Sequence, residues 1–205
     1  MSRRRGIRGE GRARLIGAAA VCYGRGGRRG MTINQVCAQA NTSVGTVYHH
    51  FPGGLRELED ALYLDTLAGY QRGLLAELHA HRSAAASVKS IVMFHLDWMA
   101  GNIPLAQYVL AFNASWLSSE HLAQLDAMNA GFAQAIADWR EPHVSAGEMR
   151  RLPTMLYGLI VLGPAQQYGS EIIAKADVED LAAEVRRAGP ILADAAWLAV
   201  KAEAS

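Results

Sequence analysis

Four residues within a seven-residue stretch, Ser43, Thr46, Tyr48 and His49, each place a hydrogen-bond donor on a short or rigid side chain. Donors of this kind suit phosphate oxygens or base edges. The charge around them is one-sided. Residues 1–56 hold ten Arg, no Lys and one acid, Glu10, for a net +9, whereas residues 57–205 hold ten Lys and Arg and eighteen acids, for −8. A basic segment joined to an acidic one reads as a polyanion-binding module on a solvated body. An Arg-rich tail that only aids solubility gives the same count.

The remaining polar residues offer little to a catalyst. The seven His, at 49, 50, 79, 81, 95, 121 and 143, form no HExxH pattern. No Ser sits in G-x-S-x-G, no G-x-G-x-x-G follows a strand pattern, and there is no P-loop. His79 and His81 are i, i+2 neighbours near a helix end, where side chains diverge. Neither a metal, nor a cofactor, nor enzymatic activity is expected. Cys22 and Cys37 match no CxxC or zinc spacing and fall on apolar helical positions, which fits buried, reduced thiols in the cytoplasm. The start, Met1-Ser-Arg-Arg-Arg-Gly6, has no apolar core of a signal peptide. The longest continuous apolar run, Met155–Ala165, is too short to span a bilayer, so no membrane partner is expected.

The elements that must position these groups are helical. The chain has 205 residues, is 51% hydrophobic and shows no sustained period-2 alternation, so the fold class is all-α. Residues 1–9 read as a flexible basic arm. A first helix from about Glu10 to Tyr23 carries Leu15, Ile16, Ala19 and Cys22 on one stripe, and the glycines of Gly24–Gly30 end it. Thr32-Ile-Asn-Gln35 is a capping box opening a short helix, Ile33–Ala40. Asn41 tolerates a left-handed turn, and Ser43 can cap a second short helix, Val44–His50. Two short helices joined by a tight turn make a helix-turn-helix. Phe51-Pro-Gly-Gly54 breaks the chain before a long helix, Leu55 to about Ala80. Five further helices are expected near 84–101, 104–116, 119–140, 146–170 and 177–201. Ser119, Ser145 and Asp177 are their candidate caps, and Ser145-x-x-Glu148 reads as a second capping box.

The segment Leu15–Leu58 resembles the DNA-binding domain of the TetR family of transcriptional regulators. The resemblance rests on an Ala-Ala…Tyr helix end followed by glycine, then Gly30-Met-Thr32-Ile…Val36-Cys-Ala38…Ala40-Asn-Thr-Ser43-Val-Gly45-Thr46-Val-Tyr48-His-His-Phe51. Pro52-Gly53-Gly54 after the Phe is similar to the LmrA/YxaF-like branch. Three positions depart from the family pattern: Asn41 replaces the usual turn glycine, Val44 a polar residue, and Leu55 a lysine that faces the DNA backbone. Val44 could instead touch a thymine methyl, and Arg56 could substitute for the lysine.

The resemblance implies a repressor that binds double-stranded operator DNA as a homodimer and is released by a small apolar or amphipathic effector. Residues 1–54 would be the basic arm and helix-turn-helix, and residues 55–205 the effector-binding and dimerisation domain. Thr32, Thr42, Ser43, Val44, Thr46, Tyr48 and His49 would then face DNA, with Gly45 allowing close approach. Arg28, Arg29 and Arg56 would contact phosphates, and Arg3, Arg4 and Arg5 an adjacent minor groove. The Met and aromatic residues of the second half read singly as helical core. The resemblance turns Phe94, His95, Trp98, Met99, Phe112, Trp116, Met128, Phe132 and Tyr157 into the lining of an effector cavity. The last two helices carry more apolar surface than one stripe, which fits a four-helix dimer seam. Two rival readings remain: a DNA-binding adaptor with a collapsed second half and no effector, and an all-helical enzyme with a basic tail.

Overall fold

The computed structural model describes the backbone of residues 2–111, 114, 117–175 and 178–203; of these, the side chains of 2–9, 111, 175 and 178–180 are not described. The described residues form nine α-helices: α1 Ser2–Gly26, α2 Ile33–Ala40, α3 Val44–His50, α4 Leu55–His79, α5 Ala84–Gly101, α6 Ile103–Ala111, α7 Ser119–Ser145, α8 Thr154–Lys175 and α9 Val178–Val200. A 3-10 turn, Gly27–Gly30, follows α1. The only extended pairing among the described residues is an isolated antiparallel bridge between Met149 and Lys201. None of the described helices is long and apolar enough to cross a membrane.

The chain divides into two compact units, residues 1–68 with 104–125, and residues 69–103 with 126–205. In the first, Leu15, Ile16 and Ala19 of α1 pack with Met31, Val36, Val47, Phe51, Leu58 and Leu62 in one buried cluster. In the second, α5 packs against α8 and α9. Its core joins Val88, Val92 and Leu96 to Val161, Ala165, Val185, Ala193 and Ala196. Close approach there depends on missing side chains. A Cβ on Gly169 of α8 would lie 2.7 Å from the Met99 sulfur, and one on Gly189 of α9 2.7 Å from the Met93 sulfur. Gly189 precedes Pro190, and Gly163 precedes Pro164; both prolines lie inside their helices.

Four expectations are corrected. α1 begins at Ser2 rather than near Glu10, so the backbone expected to be a flexible arm is helical. Arg is a good helix former, and extending an existing helix adds a hydrogen bond for each residue fixed. Ser118 rather than Ser119 caps α7, accepting from the His121 amide at 3.3 Å. No capping box forms at Ser145, which ends α7 and donates to Glu141, while Glu148 pairs with His143. α8 therefore starts at Thr154 instead of near 146, because Pro153 holds Leu152 out of the helical region. α6 is described over Ile103–Ala111, and Ala114 lies in a 3-10 turn rather than in an α-helix reaching 116; the expected cap Asp177 lies outside the described residues.

Candidate nucleic-acid interface and cavity

The helix-turn-helix is fixed by its caps. Gln35 N–H donates to Thr32 Oγ1 at 3.3 Å, and Thr32 N–H donates to Gln35 Oε1 at 3.1 Å, closing the capping box. Asn41 ends α2 in the left-handed conformation, φ 48° and ψ 59°, which an Asn side chain tolerates better than most. Ser43 then caps α3 by accepting from Thr46 N–H at 3.3 Å. Val47 is fully buried and anchors α3, which leaves Val44 and Tyr48 exposed on the outer side. Gly45 is open: a Cβ there would meet only Ser43 Oγ, at 3.7 Å. Tyr48 is 51% exposed and its ring lies over Gly54, where a Cβ would come within 3.1 Å. The φ of +67° at Gly54 independently favours glycine. Thr32, Ser43 and His49 are exposed and Thr42 is half-buried. His50 packs toward α1, its Nε2 within 2.8 Å of where a Gly11 Cβ would stand.

The arginines take different positions. Arg29 is exposed. Arg28 donates Nε to Glu59 at 3.1 Å and Nη2 to the same carboxylate at 3.3 Å. Arg56 lies 3.3 Å from Asp60, which also meets His121 Nδ1 at 3.3 Å. The Arg56 approach is off-axis, so Asp60 Oδ1 has a charge contact without a hydrogen bond. Glu59 and Asp60 are buried, a pair of guanidinium-holding carboxylates that a net charge does not reveal. The side chains of Arg3, Arg4 and Arg5 lie outside the described residues.

Residues 15–53 match the family model described as bacterial regulatory proteins, tetR family. Those residues carry the N-terminal domain of the TetR family. The likeness in fold to TetR-family structures extends over most of the chain. A TetR family transcription regulator from Marinobacter aquaeolei VT8 superposes with a TM-score of 0.66 at 14% identity, covering 98% of this chain and 100% of that one. A bacterial regulatory protein in the tetR family from Rhodococcus RHA1 gives 0.64 at 18% identity, covering 91% and 96%. The transcriptional regulator FadR from Bacillus subtilis, solved in complex with stearoyl-CoA, gives 0.63 at 15% identity, covering 86% and 96%. No curated protein matches the chain.

In the second unit of this TetR fold, a cavity of about 80 Å3 is lined by Leu74, Leu75, Leu78, Val88, Ile91, Phe132, Ile136, Trp139, Arg140, Met149, Thr154, Tyr157, Gly158, Val161 and Leu162. Of the described residues expected to line a cavity, Phe132 and Tyr157 line this one. Phe94 and Trp98 instead pack on Tyr70, with ring centroids 6.1 and 4.7 Å away. Met99 is buried against Gly169, and Met128 is half-buried outside the lining. Phe112 and Trp116 lie outside the described residues. Arg140 and Ile136 were not expected there; a charged residue four positions after an Ile was the available signal.

His95 is buried, with Nδ1 2.7 Å from the Tyr70 hydroxyl and Nε2 unpartnered. Burial pushes its pKa down to about 4. The unfolded chain takes up this proton near pH 6.5 and the folded chain does not, so stability is intact above pH 6.5 and is lost as pH falls toward 4. At pH 5 the loss should be about 2 kcal/mol. Urea titrations at pH 7 and pH 5 check this, and equal unfolding free energies at both would contradict it.

Proposed function

We propose that the chain is a TetR-type repressor that binds operator DNA as a homodimer in the cytoplasm and is released by a small-molecule effector. The observation that carries DNA binding is α3, whose cap and buried Val47 leave Val44, Gly45, Tyr48 and His49 together on an open face beside a strongly basic segment. Residues 1–54 serve as the DNA-binding domain and residues 55–205 as the regulatory and dimerisation domain. The proposed contacts are Arg29, Thr32, Thr42, Ser43, Thr46, Tyr48 and His49, with Arg28 and Arg56 oriented by Glu59 and Asp60.

Exposed apolar side chains on α8 and α9 support the dimer seam. Met155 and Leu159 of α8 are 78% and 60% exposed, and Ile191 and Leu198 of α9 are 68% and 59% exposed. Each pair shares a helix face. Val185 and Ala196 of α9 are buried in the unit's own core and Leu181 is buried as well, so on α9 the seam falls to Ile191 and Leu198.

Two observations bear on an effector. The cavity is almost wholly apolar apart from Arg140, Thr154 and Tyr157, and the FadR neighbour was solved with stearoyl-CoA. α4 runs through both units, so a ligand that alters its second half acts on a helix continuous with the first. A differential affinity of about 1–3 kcal/mol suffices to change operator affinity roughly 5- to 150-fold. The small volume favours a second reading, a regulator without an effector, since ordinary ligand sites occupy roughly 300–1,000 Å3.

The DNA reading is tested by anisotropy on DNA from upstream of the protein's own gene. Log affinity should fall linearly with log salt, with a slope near −0.9 for each neutralised phosphate. Tyr48→Ala should lower affinity roughly tenfold or more, the worth of a hydrogen bond to a charged group. Wild-type affinity in that variant would remove α3 from the interface.

A further inference from the structure

We propose that the cavity of the second unit takes a small apolar carboxylate, with its hydrocarbon against the aliphatic wall and its acid at Arg140 and Tyr157. The assignment deepens, and rests on, the effector reading above. The wall is provided by Leu74, Leu78, Val88, Ile91 and Val161, which favours a hydrocarbon over water.

Two polar groups at this wall lack what they need. Tyr157 is 4% exposed and its hydroxyl is buried without a hydrogen-bond partner, an arrangement that normally calls for explanation. Burial holds the phenol in its protonated form, against the opposing pull of Arg140 and Arg151, so it remains a donor without an acceptor. The Arg140 guanidinium lies over the Tyr157 ring, 4.4 Å from its centroid. Both of its terminal nitrogens reach Thr154 Oγ1 only at 3.4 Å. Among the described residues no carboxylate comes within ion-pair distance of it; the neighbouring Glu141 is taken by Arg151 at 2.8 Å. A half-buried cation with spare donors stands beside a phenol with a spare proton, in surroundings where charge is poorly screened by water.

A carboxylate answers both groups, because it accepts from a guanidinium and from a hydroxyl at once. A neutral alcohol can accept hydrogen bonds but brings no charge to match the guanidinium. An ammonium would be repelled. The volume of about 80 Å3 keeps the hydrocarbon short.

The probes are butyrate, hexanoate and octanoate, each compared with its matching primary alcohol by calorimetry on the full chain. At least one acid should bind about tenfold or more tightly than its alcohol. Tyr157→Phe separates recognition from structure. Because the hydroxyl makes no bond in the unliganded chain, its removal should leave the melting temperature unchanged or raised, while acid affinity falls about tenfold. Arg140→Met should abolish the preference for acid over alcohol.

Equal binding of acid and alcohol overturns the proposal, as does failure of all three acids to bind. So does a Tyr157→Phe variant that melts earlier but binds acid normally. If the acid preference and both variant effects appear while operator affinity is unaffected by bound acid, the carboxylate site stands and the effector reading falls.

Discussion

Phe51→Ala will destabilise the first unit by about 3–5 kcal/mol, the usual loss for removing a fully buried Phe. Phe51 is 0% exposed and caps the C-terminal end of α3. Its ring sits in one cluster with Leu15 of α1, Met31 before α2, Val47 of α3 and Leu58 of α4. The Arg12 guanidinium lies 5.1 Å above the ring, so truncation also removes a cation–π contact. Small domains are stable by only about 5–15 kcal/mol, so a loss of this size takes a large share. Operator binding should disappear under conditions where the wild type binds, because α3 loses the residue that fixes its end. Denaturant titration followed by circular dichroism measures the effect. A loss below about 1 kcal/mol would mean that the cluster repacks without its largest member.

The double variant Leu159→Glu, Ile191→Glu should be a folded monomer with operator affinity about 10²- to 10⁴-fold weaker, the range lost when two linked binding events become separate ones. Both side chains are exposed in the single chain, so the new carboxylates enter water when the chain is alone and an apolar seam when it is paired. Burying unpaired charge in such a seam is strongly unfavourable. The helical circular dichroism signal should remain at the wild-type level while light scattering reports half the mass. Leu192→Glu is the less informative choice, since Leu192 packs against the second unit's own core and its replacement would unfold the unit as well. A double variant that keeps the mass of the wild type places the seam elsewhere, or shows that the chain never paired.

The first unit was legible wherever a local side-chain bond decides the structure. Thr32 with Gln35, Asn41, and Ser43 with Thr46 set the bounds of α2 and α3, and each acts over three or four residues. The same logic failed at Ser145 because a competing local partner, Glu141, lies one turn earlier, and Pro153 sets the next helix start instead. The start of α1 was misplaced because Arg and Gly send opposite local signals. Within the candidate sites, the exposed face of α3 followed from Val47 facing inward. The positions of Glu59 and Asp60 did not, since α4 alternates acids with Leu on several faces and only packing decides which acids are buried. The cavity depends on which stripes of α4, α5, α7 and α8 meet. The sequence contains aromatic and Met residues enough for several such meetings, and Phe94 and Trp98 took the one with Tyr70.

Gly163-Pro164 in α8 and Gly189-Pro190 in α9 divide each of those helices. Proline has no N–H, so the carbonyls of Ile160 and Arg186 receive nothing from the residue four positions on. Each helix is therefore two hydrogen-bonded ladders meeting at a missing rung, with a glycine beside the gap that adds freedom. Such helices open from the middle as well as from their ends, and in slow deuterium uptake the amides near each gap would form their own, faster class. The two halves of α9 could then respond separately, one to the core that holds Val185 and the other to whatever covers Leu198.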